Sequence, residues 1–177
     1  MAIAQRLNPS LFDKLSADID MPGLRDSNMM QLELTPETMR IYAIPKLERF
    51  NEAALRATLK RDLAWLLNTV SLETSIDLDP FPQVKTSVVN YGVADLAGQA
   101  ATHRIVMQRA RDIRSAVRTY EPRISEKSLH VEPVLEQERE NKITYIIHGD
   151  ITAAVNAMPV TFKTDVEADT SSVTIRE

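Results

Sequence analysis

The hydrophobic pattern of this sequence changes period at Glu121-Pro122-Arg123, and this change constrains the fold more than any other feature. Before the tripeptide, apolar residues over 51–68 and 102–120 recur at spacings of three and four, which predicts two amphipathic helices. After it they recur at every second position, which is typical of strands, here predicted over 129–134, 143–147, 160–166 and 172–175. Two to three helices followed by a small antiparallel sheet of three to four strands make an α+β domain.

The tripeptide itself predicts a stiff backbone between two opposite charges. Pro122 fixes its own φ near about −65° and disfavours helical geometry at Glu121. In an extended segment, Glu121 and Arg123 project to the same side. The motif is therefore either a rigid carboxylate–guanidinium unit suited to recognition, or a helix stop between two surface charges.

Two helical segments carry features beyond their apolar stripes. Trp65 lies off the stripe of the first helix, so it is either a second contact surface or a half-exposed residue. The spacing of Val84, Val88 and Tyr91 predicts a short helix that Gly92 stops.

Three arginines lie seven residues apart on the polar face of the helix over 102–120. They form either a solvated surface or a docking face for an acidic partner; nucleic acid is the weakest of the three possibilities. The residues are Arg104, Arg111 and Arg118.

Two residues restrict the predicted sheet. Pro133 lacks an amide donor, which places its strand at an edge or ends it. Gly149 indicates a bulge or a close backbone approach. His130 and His148 could meet across neighbouring strands, but two imidazoles without a placed carboxylate indicate a metal site only weakly.

The sequence divides into an N-terminal arm, residues 1–46, and a domain, residues 47–177. Within the arm, residues 18–28 predict a linker, and Thr35-Pro36-Glu37 predicts the start of a helix that ends before Pro45. An earlier short helix begins at Ser10 as N-cap, with Asp13 three residues on. It would dock on its own domain or in a partner's groove, through Leu11, Phe12 and Leu15.

Composition excludes several classes of function. The chain has no cysteine, which excludes disulfides and thiolate metal sites. Its four glycines form no phosphate-binding loop, which disfavours a nucleotide-binding fold. Its net charge of −4 disfavours nucleic acid as a main partner. No apolar run is long enough to span a membrane, and the start lacks the apolar core of a signal peptide. We therefore expect a soluble cytoplasmic protein that binds no cofactor.

The residues of this sequence give little support to a catalytic function. No serine lies in a glycine-flanked nucleophile elbow. An acid pair for glycoside hydrolysis could be assembled only from carboxylates that 25 acidic residues supply by chance. Arg123 beside Glu121 favours the ionised carboxylate, the opposite of what a general acid requires. The available carboxylates are Glu121, Asp95, Glu132 and Asp150.

Three segments in order resemble TssE, the type VI secretion baseplate subunit related to the small wedge protein of contractile phage tails. They read RDLAWLLNT over 61–69, FPQVKTSVVNYG over 81–92 and YEPRI over 120–124, and PSLFDKL over 9–15 resembles the start of that family. The resemblance covers about residues 47–166. VADL over 93–96 replaces the more usual Leu-Pro-Asp-Leu, and residues 21–46 are longer than is typical, so no role is transferred to them.

The resemblance implies a structural part that is not an enzyme. Such a subunit joins a wedge with TssF and TssG and adjoins the contractile sheath of TssB and TssC, on the cytoplasmic face of the inner membrane. The Glu-Pro-Arg motif of the family, here Glu121 to Arg123, is implicated in assembly contacts, so we expect these charges to pair with a neighbouring subunit. Neutralising both is expected to abolish assembly and leave the isolated domain folded.

Other interpretations stay open. A domain of the same fold could serve as a phage-tail component or as a regulatory protein-binding domain, for example an anti-adaptor in proteolysis. Some relatives are labelled lysozyme-like, but the residues here give no reason to extend peptidoglycan hydrolysis to this chain.

Overall fold

The computed structural model describes residues 9–16, 51–95, 102–134, 142–152, 158–167, 170 and 172–176. Helices precede an antiparallel sheet, which confirms the predicted α+β class. The helices are α1 (Leu11–Ser16), α2 (Glu52–Leu67), α3 (Pro82–Lys85) and α4 (His103–Tyr120). The strands are β1 (His130–Val134), β2 (Lys142–Ile151), β3 (Met158–Glu167) and β4 (Val173–Arg176).

Both long helices begin and end where the sequence predicts. The side chain of Asn51 accepts a hydrogen bond from the amide of Ala54 at the start of α2, and Thr102 caps α4 in the same way. The predicted stripes are buried: Leu55, Leu59, Leu63, Leu66 and Leu67 on α2, and Val106, Ala110, Ile113 and Val117 on α4.

The sheet has the strand order β1-β2-β3-β4, so β1 is an edge strand, as Pro133 predicts. Pairing across the two long central strands is continuous, with Ile147 opposite Phe162. These two side chains belong to the sheet face that α2 and α4 cover. Burial of that face against two helices supplies the main apolar core of the domain.

Gly149 marks a close backbone approach and not a bulge. A Cβ atom there would lie 2.6 Å from Cγ2 of Ile124. Ile124, one residue beyond the Glu-Pro-Arg motif, forms an isolated bridge with Ile151. The missing side chain therefore lets the motif pack directly on β2.

The prediction of one short helix ending at Gly92 is wrong. The chain forms α3, then breaks, and a separate 3-10 turn follows over Val88–Asn90. The Ser87 hydroxyl accepts a hydrogen bond from the Val89 amide, and the Asn90 side chain donates to the Lys85 carbonyl. These side chains satisfy the backbone groups that a continuous helix would pair. The preceding loop also contains a 3-10 turn, Leu72–Thr74.

Several predictions fall outside the described residues. They are the linker over 18–28, the helix starting at Thr35 and the boundary between arm and domain near residue 47. Among the described helices, none is long and apolar enough to cross a membrane.

Candidate functional site

The Glu-Pro-Arg motif is held by a buried carboxylate–guanidinium pair. Both carboxylate oxygens of Glu121 accept from Arg123, at 2.7 Å from Nε and 2.6 Å from Nη2. The Arg123 amide also donates to Glu121 Oε1 at 3.2 Å. The side chain of Glu121 is 6% exposed and that of Arg123 is 12% exposed. The two side chains lie on the same side and bond to each other. The predicted extended segment is wrong, however, because the chain turns here and the Ile124 amide donates to the Glu121 carbonyl at 3.2 Å.

Helix α2 supplies further partners for Arg123. Its Nη2 donates to Asp62 Oδ2 at 2.5 Å, and its Nη1 lies 3.5 Å from the Thr58 hydroxyl. Burial alone would lower the pKa of Arg123, but the hydrogen bonds and charges of Glu121 and Asp62 outweigh burial and raise it. Arg123 is therefore a fixed cation that ties the motif to α2.

The network continues from Asp62 into α1. Arg61 donates through Nε to Asp62 Oδ1 at 2.7 Å and through Nη1 to Asp13 Oδ1 at 3.0 Å. The exposed side-chain fractions of Arg61 and Asp13 are 1% and 0%. Asp13 also accepts from the amide and hydroxyl of Ser10, which confirms the predicted cap of α1. The short helix thus docks on its own domain.

Aromatic rings flank the outer end of the network. The Arg61 guanidinium stacks on the rings of Phe12, at 4.7 Å, and Trp65, at 4.9 Å. Phe12 and Trp65 meet edge to face with centroids 5.2 Å apart. Trp65 is therefore a second contact surface of α2, directed at α1. Burial, together with the charges of Asp62 and Glu121, raises the pKa of Tyr91 to about 12.

A groove of about 600 Å³ lies between α1 and the motif. Four of its described lining residues are aromatic. Of the network, two carboxylates and one guanidinium line the groove, those of Asp62, Glu121 and Arg123. The side chains that define the groove include Phe12, Trp65, Tyr91, Tyr120, Pro122 and Arg123.

The other predicted interaction residues lie apart from this network. Arg104, Arg111 and Arg118 are exposed; Arg118 forms a surface ion pair with Glu126 at 3.5 Å. On α1, Leu11 and Leu15 are 72% and 69% exposed, while Phe12 meets the Trp65 ring edge to face. Contacts of these side chains, and of the motif, with another subunit stay predictions, because the structure describes one chain.

Of the histidines and carboxylates considered for metal binding or catalysis, three lie near one another on β1 and β2. His130 does lie opposite His148 in the strand register. Its Nε2 bonds to Glu132 at 2.6 Å, and His148 bonds to Thr161 at 3.0 Å. Within the described part of the chain, no group of three or more histidines and carboxylates could hold a metal ion.

Two buried arginines are central to the structure and were not predicted from the sequence. Arg61 joins α1 to α2, and Arg109 donates to the Ala94 carbonyl inside the fold. Burial lowers the pKa of Arg109. Arginine is normally exposed, so a pattern of apolar residues does not identify these positions. A sequence signal for Arg61 was available in the adjacent Asp62 and the aromatic Trp65.

Removing the Asp13 charge is expected to release α1 from the domain. Asp13→Asn weakens a buried hydrogen bond to a charged group, worth about 1.5–3 kcal/mol, and a six-residue helix is marginal alone. Trp65 is the single tryptophan. Its emission should shift to longer wavelength and its quenching by acrylamide should increase. Lys14→Ala on the exposed side of α1 is the control, and an unchanged Trp65 signal in Asp13→Asn would contradict the docking role.

A family model described as baseplate wedge protein gp25 matches residues 53–155, more than half of the chain. The match includes α2, the motif, α4 and the first two strands. No curated protein matches the chain.

Proposed function

We propose that this chain is a wedge subunit of the baseplate of a type VI secretion apparatus. The chain belongs to the gp25 family of baseplate wedge proteins. The family supports a structural role in a baseplate. The finer assignment to a type VI apparatus rests on the TssE-like segments over 61–69, 81–92 and 120–124. In this proposal the chain works in the cytoplasm, at the inner membrane, as part of the assembled apparatus.

The observation that carries the proposal is the buried network at the family-like motif. It joins α1, α2 and the segment after α4 through five charged side chains. A buried network of hydrogen bonds and ion pairs restricts the arrangement of the elements that it connects. A subunit that transmits force between neighbours needs such a stiff connection.

The neighbour would meet the outer side of the motif. Glu121 and Arg123 already satisfy each other, so a partner does not need to supply their first contacts. Pro122 between them is exposed. Among the described lining residues of the groove, the carboxylates of Asp62 and Glu121 outnumber the one guanidinium, that of Arg123, which favours a lysine or arginine of the neighbour there. This geometry modifies the initial hypothesis, in which the pair itself depended on the neighbour.

The partners in this proposal are TssF and TssG within the wedge and the sheath proteins TssB and TssC beside it. We propose no enzymatic activity and no bound cofactor. Purified protein that cleaves peptidoglycan, with the activity lost in Glu121→Gln, would contradict this part of the proposal.

Sheath assembly in cells tests the function. In the source bacterium, deletion of this gene should abolish extended sheaths, visible as fluorescent TssB, and the intact gene should restore them. An arm-deleted version lacking residues 1–20 tests the contribution of α1 in the same assay. Sheaths that form equally well without the gene would favour the phage-tail or regulatory alternative.

A further inference from the structure

One segment of the domain concentrates exposed apolar side chains. Nine large apolar side chains are exposed among the described residues, and five of them lie within residues 70–92, called here the valine loop. Val88 and Val89 are 83% and 65% exposed. The others are Val70, Ile76 and Phe81. Such concentration within one short segment is typical of an interaction surface.

The valine loop is held rigidly although its apolar side chains face outward. The buried side chain of Asn90 accepts from the Glu73 amide at 2.9 Å and donates to the Lys85 carbonyl at 3.0 Å. From α4, the Tyr120 hydroxyl donates to the carbonyls of Lys85 and Ser87. The exposed valines are thus displayed on a fixed backbone, and a β-branched side chain has few rotamers to lose. Binding to such a surface costs little ordering entropy.

The charges within the valine loop are mainly acidic. Glu73, Asp77 and Asp79 are exposed, and Lys85 is the one basic residue between 71 and 92. Lys85 lies 2.8 Å from Glu73 and 2.6 Å from Asp79, and hydrogen bonds to both carboxylates raise its pKa. The segment therefore carries a net charge of −2, from three carboxylates and one ammonium. A second copy of this loop, or an anionic membrane, would be repelled.

We propose that the valine loop is a docking surface, separate from the Glu-Pro-Arg motif, for an apolar segment flanked by lysine or arginine on a neighbouring wedge protein. The inference rests on the proposed function, since it takes the neighbour from the same assembly. Val88 and Val89 fill the apolar part of the contact, and Asp77 and Glu73 face the basic flanks. Charge complementarity selects the partner and its orientation, while valine burial supplies the affinity.

The test measures binding of the full chain to a purified TssF–TssG pair. Val88→Ser combined with Val89→Ser should weaken binding by about tenfold or more and leave the melting temperature unchanged, because both side chains are exposed. Met107→Ser, on an exposed position of α4, is the matched control and should bind normally. Asp77→Lys should also weaken binding, with a loss that shrinks as salt is raised.

The outcomes separate the two proposals. If the natural chain binds and the double serine variant binds equally well, the valine loop is not the docking surface, although the proposed function stands. If the natural chain does not bind the pair, both proposals fail. Tighter binding by Asp77→Lys would overturn the basic-partner assignment. Self-association or vesicle binding that is lost in the double variant, with TssF–TssG binding retained, would assign the surface to another occupant.

Discussion

Replacing Glu121 by alanine is expected to lower the free energy of unfolding by about 3 kcal/mol, the lower end of the cost of breaking a buried ion pair. The change removes two of the acceptors of Arg123, a guanidinium that is only 12% exposed. Asp62 remains as a partner, which keeps the cost from being larger. For a chain of this size the melting temperature should fall by about 6–12 °C. Urea denaturation of the purified variant measures the change.

An exposed glutamate provides the matched control. Glu126 pairs with Arg118 at 3.5 Å, and both side chains are more than half exposed. Glu126→Ala should change stability by less than about 1 kcal/mol. Equal effects of the two substitutions would contradict the structural role of the Glu121 pair.

The double neutralisation Glu121→Gln with Arg123→Gln should cost less than the sum of the single changes, because the two groups bond directly. The initial expectation that this double variant leaves the isolated domain folded stays a prediction. Because both residues make contacts within the chain, we also expect the double variant to be less stable than the natural chain. An assembly defect in this variant is therefore interpretable only beside its unfolding curve.

Gly92→Ala is expected to destabilise the domain by about 3 kcal/mol or more, since strained backbone and a steric clash combine. Gly92 has φ +127°, and an added Cβ would lie 2.3 Å from the backbone oxygen of Thr69. That oxygen accepts from the Val93 amide, in the pairing that closes the base of the valine loop. Hydrogen exchange at Val93 should accelerate along with the loss of global stability.

Gly149→Ala is the control for Gly92→Ala. Its added Cβ would meet a side-chain methyl of Ile124 at 2.6 Å, and no positive φ adds strain. The Ile124 side chain can shift, so the expected cost is about 1–2 kcal/mol. A Gly92→Ala variant as stable as the Gly149→Ala variant would contradict the backbone geometry assigned to residue 92.

The sequence was sufficient for the parts of the fold that depend on periodicity. Apolar stripes located α2 and α4, and alternation located the four strands, because burial of one face determines both patterns. The segment from Val84 to Tyr91 was predicted wrongly as one helix. Its backbone is organised by the polar side chains of Ser87, Asn90 and Tyr120, whose partners are set by the tertiary fold and not by spacing.

The sequence predicted where the candidate site lies in the chain, but not which residues bond to it. The position of Pro122 correctly predicted where α4 ends. The side chains of Glu121 and Arg123 do lie on one side and bond to each other. Asp62, the partner of Arg123 on α2, is 61 positions away in the chain, and no local pattern joins them. The three TssE-like segments did identify the family, and all three lie within the range matched by the gp25 family model. The sequence therefore identified the family, but it did not predict the contacts between Arg123 and Asp62.

Sedimentation of the purified chain mixed with TssF and TssG tests whether this chain is a structural wedge subunit. We expect one species that contains all three proteins, at a mass greater than that of the TssF–TssG pair. If the chain sediments alone while TssF and TssG remain together, it is not a subunit of this wedge.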